Sequence, residues 1–270
     1  MRNIQGVIFG GVFLIATCFI VDAQACSTAS WDGGSSGAVL VGSPSSTPRY
    51  SQLCGLSVNG TGHVQDNSAS DSRIIVRFYV QVSLGDTGAV DLFEAYGDEA
   101  GVSPIFKVTY DADADNFIFD ATDAPGGSSF TIAAKSGWNL VELDWDSGGD
   151  FVAWVNEDTT AEPQPTPAGP VDAGTGTVES IRLGAPNGFG DFSGSNLYYD
   201  AYESHRTTPV GALLIGDADD SQIVDIFDAV EQLDEIHSID LGVGQPDCDE
   251  SGGVIDIFDV VCVLDIIHSN

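Results

Sequence analysis

Residues 72–83 read SRIIVRFYVQVS, and this run places the protein among the β-rich classes. Branched and aromatic side chains make up most of the run, and such residues are enriched in strands. Eight similar segments follow, separated by clusters of Gly, Asp, Pro and Ser: AVDLFEAYG, PIFKVTY, NFIFDAT, SSFTIAA, WNLVELDWD, DFVAWVN, VESIRLGA and NLYYDAYESHR. Many of them alternate apolar and polar residues, which is typical of half-buried antiparallel strands. Their regular spacing predicts a mainly β sandwich over residues 26–206.

Two stretches between these segments are predicted to be turns or loops. The Pro-, Thr- and Gly-rich residues 157–177 indicate a long surface loop, with a domain linker as the alternative. The sequence DADADN at 111–116 imitates the start of a calcium loop, but Thr122 stands where a twelfth-position carboxylate is needed. A hairpin turn is therefore predicted there.

The charge of the chain excludes one large class of partner. There are 41 acidic and 8 basic side chains, and 41 − 8 leaves a net charge of −33. Binding to nucleic acid needs clusters of Lys and Arg against phosphate, so no nucleic-acid partner is expected. The same charge disfavours anionic membrane surfaces and suits cation binding.

The N-terminus has the pattern of an export signal. Arg2 precedes an apolar run, and AQA lies directly before Cys26, so residues 1–25 are predicted to be a signal peptide. A retained membrane anchor is the alternative, but the run is short for a spanning helix. We therefore expect a secreted or cell-surface protein, with no membrane span in the mature chain.

Four cysteines remain after removal of the signal peptide. An even number in an exported chain indicates disulfides. Their positions, two early and two late, favour Cys26–Cys54 and Cys248–Cys262, although three pairings are possible. The second bridge would join an acidic loop to its helix, and a free thiol pair is the alternative.

The C-terminal region contains an internal duplication. After a short linker at 207–213, DADDSQIVDIFDAVEQLDEIHS aligns with DCDESGGVIDIFDVVCVLDIIHS. Phe227 and Phe258 correspond, as do His237 and His268, and both pairs are 31 residues apart. Each copy is an acidic loop followed by a helical pattern, in which Ile226, Val230, Leu233 and Ile236 lie at helical spacing in the first copy.

The acidic loops have the spacing of two calcium sites. A hard cation takes about six to eight oxygens, and alternate side chains of a tight loop point to one centre. The first loop offers Asp217, Asp219, Ser221, the carbonyl of Ile223, Asp225 and Asp228. The second offers Asp247, Asp249, Ser251, Asp256 and Asp259, with one inserted residue near Gly252 and with Glu250 as an alternative to Asp249. Helix N-caps are the other interpretation of these aspartates, but two copies with one DIFD junction favour two Ca²⁺ ions.

This duplicated loop and helix resembles a type I dockerin, with two EF-hand-type calcium loops, over residues 214–270. The resemblance implies the same ligand residues and a docking partner that is cohesin-like or at the cell surface. Dockerins have small polar residues at loop positions 10 and 11, where this chain has Ile226–Phe227 and Ile257–Phe258. We expect these pairs to be core, with a different partner surface as the alternative.

The sandwich resembles bacterial laminin-G-like domains of the concanavalin A-like jelly roll. The phrases GHVQDNSASDSRIIVRFYVQV, WNLVELDWDSGGDFVAWVN, VESIRLGAPNG and YYDAYESHR carry the resemblance. It implies a mostly non-catalytic domain that binds a polysaccharide, another carbohydrate or a protein. The expected function is thus recognition by the jelly roll and anchoring by the tail.

One motif supports a catalytic alternative. Glu142, Asp144 and Asp146 alternate along a strand and share one face, as the carboxylates of jelly-roll glycosidases do. The simpler interpretation is a row of solvent-facing polar residues, with Trp145 in the core. A purely structural surface protein is the third hypothesis.

Overall fold

The computed structural model describes residues 28, 31–42, 50, 55–124, 126–161, 163–214, 224, 226–236, 248 and 257–269. These residues form twelve strands and two helices. The first six strands are β1 (Gly34–Gly42), β2 (Gly55–Asp71), β3 (Arg73–Val82), β4 (Ala89–Tyr96), β5 (Pro104–Asp111) and β6 (Asn116–Ala121). The others are β7 (Ser128–Ala133), β8 (Gly137–Asp146), β9 (Asp150–Val155), β10 (Ala168–Asp172), β11 (Val178–Ala185) and β12 (Leu197–His205). The helices are α1 (Ile226–Ile236) and α2 (Ile257–Ser269).

The twelve strands form one antiparallel sheet that curls back on itself. Its order is β10-β9-β8-β3-β12-β2-β11-β4-β5-β6-β7, and β1 pairs with β2 off this path. Phe130 on β7 lies 5.7 Å, between ring centroids, from Phe151 on β9, so the two ends of the sheet approach each other. The architecture is therefore mainly β, as predicted, and nearly closed.

The hydrophobic core lies between the two halves of the curled sheet. Phe106 on β5 is 5.7 Å from Trp145 on β8 and 5.1 Å from Phe151 on β9, between ring centroids. Phe78 on β3 is stacked 5.7 Å from Phe93 on β4. These rings are fully buried, and each buries a large apolar area on folding. The layer β12-β3-β8-β9 therefore packs on the layer β4-β5-β6.

All nine segments predicted as strands from their residue pattern are strands, namely β3 to β9, β11 and β12. The hairpin turn at 111–116 is also confirmed. Asp111 pairs with Asn116 across β5 and β6, and its Oδ1 accepts the amide of Asp113 at 3.1 Å. This bond from an aspartate to the amide two residues later is typical of a tight turn.

Three strands were not predicted. β1 and β2 are rich in Gly, Ser, Thr and Asn, and their residue types indicate loops rather than strands. β10 lies inside the predicted loop at 157–177, so that loop is shorter than expected. β10 pairs only with β9, and its register is broken between Ala168 and Val171 around Pro170, which has no amide to donate.

The helices α1 and α2 pack on each other around a small apolar cluster. Ala229, Cys248, Val260 and Val263 are its buried members. A disulfide joins Cys248 to Cys262, as predicted. Cys26 and Cys54 lie outside the described residues, so their pairing stays a prediction.

Candidate functional site

Glu142 is the first residue of the acidic row on β8, and it is not solvent-facing. Its side chain is fully buried. Its carboxylate accepts hydrogen bonds from Thr159 Oγ1 at 2.8 Å, from the amide of Val210 at 3.0 Å and from the amide of Gly211 at 2.9 Å. The prediction of an exposed polar row is therefore wrong at this position, because two distant segments cover it.

The other two carboxylates of the row have separate surroundings. Asp144 forms a two-pronged ion pair with Arg73, with N–O distances of 3.0 and 2.7 Å. Asp146 is exposed, and Trp145 between them is in the core, as predicted, where its Nε1 donates to the carbonyl of Ala173 at 2.7 Å. The row therefore does not place two accessible carboxylates side by side, which glycoside hydrolysis needs.

Residues 207–213, predicted to be a linker, are bound to the outer face of the sheet; we call them the covering segment. Besides the two bonds to Glu142, Arg77 donates to the carbonyl of Gly211 at 3.1 Å and Leu213 donates to Tyr79 Oη at 3.0 Å. Gly211 has a φ of 86°, and a Cβ there would lie 2.5 Å from Thr160 Cγ2. The segment can therefore lie this close only because residue 211 is glycine.

The end of the covering segment helps to form a cleft that we call the aromatic cleft, of about 240 Å³. It is lined by Tyr50, Tyr79, Lys135, Trp138, Leu140, Asn156, Glu157, Asp158, Ala212 and Leu213. Tyr50 stacks on Tyr79 at 3.9 Å and meets Trp138 edge-on at 6.0 Å, between ring centroids. Within this stack Tyr79 is buried, while Tyr50 and Trp138 are partly exposed to the cleft.

Two asparagines fix the turn that carries the cleft residues of β8. Asn139 is fully buried, accepts the amide of Lys135 at 2.9 Å and donates to the carbonyl of Lys135 at 2.8 Å. Asn156 donates to Asn139 Oδ1 at 3.0 Å and accepts the amide of Leu140 at 3.1 Å. The buried Asn139 amide, bonded in this way to the backbone and to Asn156, holds the turn rigidly.

Asp158 supplies a carboxylate to the cleft. Burial alone would raise its pKa, but hydrogen bonds from the Thr160 hydroxyl and amide and from the Ala212 amide lower the pKa below its usual value. These three bonds have lengths of 2.6, 2.9 and 3.2 Å. Asp158 is therefore charged at neutral pH, and its free lone pairs can accept hydrogen bonds from a ligand.

A second polar cluster lies on the outer face of the opposite layer. A β-bulge between Asp91 and Phe93 turns Asp91 and Glu94 to the same side of β4. Asn187 Nδ2 donates to both carboxylates, at 2.9 and 2.7 Å. Burial raises the pKa of Glu94, whereas hydrogen bonds from Thr109 and Asn187 outweigh the burial of Asp91 and lower its pKa. Sequence patterns gave no signal for this cluster, because Asp91 and Glu94 would face opposite sides of a regular strand.

His63 lies on β2, where it pairs with Gly184 of β11. Its Nδ1 is buried without a hydrogen-bond partner among the described residues. Burial, with a contribution from the Arg182 charge, lowers its pKa from 6.5 to about 4. The imidazole is therefore neutral in the folded protein at any pH well above 4.

His63 is expected to make the sandwich less stable as the pH falls from about 6.5 to about 4. In this range the unfolded chain binds a proton that the folded chain does not, and the folded state loses stability relative to it. The test measures the free energy of unfolding of wild type and of His63→Gln with urea, at pH 7 and at pH 4.5. Between pH 7 and pH 4.5, wild type should lose about 1 kcal/mol more stability than the variant, a value already reduced for the partial exposure of the ring. A difference that does not change with pH would contradict this account.

The predicted calcium ligands are only partly within the described residues. Asp228 and Asp259, at position 12 of the two loops, are buried in the first turns of α1 and α2, with 0 and 2% of their surface exposed. The other predicted ligands lie outside the described residues: Asp217, Asp219, Ser221, Ile223, Asp225, Asp247, Asp249, Ser251 and Asp256. In the described part of the chain, no group of three or more His, Cys, Asp or Glu side chains could hold a metal ion.

The apolar pattern of α1 faces outward rather than into a core. Ile226 and Phe227 are 53 and 66% exposed, so the prediction that this pair belongs to the core is wrong. Val230 and Leu233 are exposed too, because α1 contacts α2 through the face that carries Ala229. The side chains of Ile257 and Phe258 lie outside the described ones.

On α2, Val261 and Leu264 are exposed at the positions that correspond to Val230 and Leu233. The duplication therefore places equivalent apolar side chains on the surface of both helices. No helix within the described ranges is long and apolar enough to cross a membrane.

Comparisons with known proteins reveal only distant likenesses. No family model and no curated protein matches the chain. Among solved structures, a cellulose-induced protein, Cip1, is 13% identical over 65% of this chain and 89% of that one, with a TM-score of 0.45. The binding domain of botulinum neurotoxin DC is 9% identical over 64% of this chain and 42% of that one, with a TM-score of 0.44.

The sialidase of Trypanosoma rangeli is 17% identical over 57% of this chain and 25% of that one, with a TM-score of 0.42. The chain thus spans less than half the length of the toxin domain and of the sialidase. With TM-scores below 0.5, none of these likenesses bears on what the chain does.

Proposed function

We propose that this is an exported bacterial protein whose sandwich binds carbohydrate without hydrolysing it and whose C-terminal module, folded around two calcium ions, docks it to a protein. The observation that carries the first part is the aromatic cleft, in which two partly exposed rings lie beside hydrogen-bonding groups. In this proposal the sandwich is a laminin-G-like jelly roll, and the tail is dockerin-like.

The cleft has the two kinds of group that sugar recognition requires. One face of a pyranose ring presents C–H groups, which pack on flat aromatic rings such as those of Trp138 and Tyr50. The hydroxyl groups at its edge need hydrogen-bond acceptors and donors, and Asp158, Glu157 and Asn156 line the same cleft. Ligand sites commonly combine apolar walls with a few positioned polar groups in this way.

The proposal that the sandwich does not hydrolyse carbohydrate is supported by the contacts that the carboxylates of the acidic row make within the fold. Glu142 is covered by chain, and Asp144 is bound to Arg73. A catalytic carboxylate has to reach the substrate. Measuring the release of reducing sugar from a panel of glycans would distinguish a glycosidase from a binding protein.

Calcium binding by the tail is supported by the burial of Asp228 and Asp259 at equivalent positions of the two copies. Calcium would bring the loop ligands together at the start of each helix, and its binding free energy would add to the stability of the small module.

Docking is supported by the exposed apolar side chains of the helices. Ile226 and Val230 on α1, with Val261 and Leu264 on α2, are exposed apolar side chains in the described part of the tail. Clustered exposed apolar residues mark protein interaction sites. The proposed partner is a cohesin-like or other cell-surface protein whose binding surface is apolar rather than polar.

Replacing Trp138 by alanine is expected to weaken glycan binding by about 30-fold, because a stacking platform contributes about 2 kcal/mol. Binding would be measured by isothermal titration with the best oligosaccharide from a glycan array, using the full-length protein in calcium. Phe227→Ala, an exposed aromatic residue in α1, is the control and should bind as wild type does. Equal affinities for wild type and Trp138→Ala would overturn the assignment of the cleft.

A further inference from the structure

Basic side chains are scarce in this protein, and almost all of those described are used by the fold. The sequence has 8 basic residues against 41 acidic ones. The described chain contains six of them: Arg73, Arg77, Lys107, Lys135, Arg182 and Arg206. Four bind a carboxylate directly, in the pairs Arg73–Asp144, Arg77–Glu203, Lys107–Asp91 and Arg206–Asp71.

Arg182 is also committed, though not to a carboxylate. It donates to Gln65 Oε1 at 2.9 Å and to the carbonyl of Ala100 at 2.8 Å. Its guanidinium carbon lies 4.8 Å from the centre of the Tyr96 ring. These contacts hold the loop after β4 against the sheet.

Lys135 is the exception. Its ammonium group has no ion pair and no hydrogen bond with any described residue, and the side chain is exposed. It is also a lining residue of the aromatic cleft. In a chain with a net charge of −33, an uncommitted cation at the ligand cleft is available to a negatively charged ligand.

The backbone of Lys135 is held in place while its side chain is left uncommitted. Buried Asn139 bonds both the amide and the carbonyl of Lys135, at 2.9 and 2.8 Å. It also donates to the carbonyl of Gly137 at 3.0 Å, directly before the stacking residue Trp138. The ammonium and the indole ring therefore start from one fixed turn, which sets the separation between an anion site and a stacking site.

We infer that the aromatic cleft selects acidic sugars, with a pyranose ring on Trp138 and its carboxylate or sulfate group on Lys135. This inference rests on the proposed carbohydrate binding and names its substrate class. Two kinds of sugar, a uronic acid and a sulfated hexose, carry an anionic group that Lys135 would bind.

The two acidic residues of the cleft, Glu157 and Asp158, follow β9 and do not belong to the turn that carries Lys135 and Trp138. Oδ1 of Asp158 accepts bonds from Thr160 and Ala212, which leaves Oδ2 and the Glu157 carboxylate for sugar hydroxyls. Carboxylates farther away than a Debye length, about 8 Å at physiological ionic strength, are screened and do not offset the ammonium of Lys135.

The test compares three ligands of equal length by isothermal titration with the full-length protein in calcium: a uronic acid oligosaccharide, a sulfated hexose oligosaccharide and a neutral hexose oligosaccharide. At least one acidic ligand should bind about tenfold more tightly than the neutral one. In Lys135→Gln that preference should fall to less than about twofold. Raising the salt concentration to 0.5 M should also reduce the preference.

Arg73→Gln is the matched control, because it removes one positive charge from a half-buried ion pair outside the cleft. It should leave the preference unchanged. If wild type binds the neutral ligand as tightly as both acidic ones, or if Arg73→Gln reduces the preference as much as Lys135→Gln does, the inference is wrong while carbohydrate binding stands. If none of the three ligands binds, the inference is wrong, and the glycan array decides whether carbohydrate binding fails with it.

Discussion

Replacing Glu142 by alanine is expected to lower the free energy of unfolding of the sandwich by about 3–5 kcal/mol. The substitution removes the acceptor for Thr159 Oγ1 and for the amides of Val210 and Gly211, all of which approach it within 3.0 Å. Each buried donor left without a partner costs about 1–3 kcal/mol. Urea denaturation followed by tryptophan fluorescence measures the change, since Trp145 lies in the core of the sandwich.

Two further variants separate this effect from a general loss of charge. Asp146→Ala lies on the same strand in an exposed position, and it should change stability by less than about 0.5 kcal/mol. Glu142→Gln keeps the shape and one acceptor oxygen, so it should fall between the two. Were Glu142→Ala as stable as Asp146→Ala, the covering segment would not depend on Glu142.

Removal of calcium is expected to abolish the helical structure of the C-terminal module. The helices α1 and α2, of eleven and thirteen residues, are too short to be stable alone in water. Extracellular calcium sites have dissociation constants of roughly 10⁻⁴–10⁻³ M. At a calcium concentration 100 times the dissociation constant, each site contributes about 2.7 kcal/mol.

Circular dichroism at 222 nm of the full-length protein, before and after exhaustive EDTA treatment, measures this loss, because the sandwich contributes little helical signal. Calcium should restore the signal and magnesium should not, since magnesium accepts fewer protein ligands. Titration should find two ions in wild type and one in Asp228→Ala or Asp259→Ala. Unchanged helicity and melting temperature after chelation would reject calcium as the basis of the fold of this module.

Residue pattern was sufficient for most strands and for both helices, but not for polar strands. The strand β3 is apolar and β-branched, so its own sequence indicates its structure. The strand β2 contains GTGHVQDNSASD, whose residue types favour turns, and it is a strand because β1, β11 and β12 pair with it. Hydrogen bonds from three neighbours override local preference, and these neighbours are distant in sequence.

Among the candidate functional residues, too, some properties were predictable from the sequence and others were not. The spacing of Asp228 and Asp259 indicated equivalent roles, and both are buried at equivalent helix positions. Periodicity also identified the apolar stripe of α1 but assigned it to a core, whereas the described contacts bury Ala229 instead. The aromatic cleft could not be predicted, because Tyr50, Tyr79 and Trp138 come from three separate parts of the chain.

The sequence alone determined the β-rich class, most strand positions, the duplicated tail and the excess of negative charge, because these depend on residue type and on spacing along the chain. The tertiary structure decided that Glu142 is buried rather than exposed, that residues 207–213 lie against the sheet, and that Lys135 and Trp138 line one cleft. Those properties depend on contacts between residues up to 134 positions apart, such as Arg77 and Gly211, and no local pattern encodes which distant segment covers a given side chain.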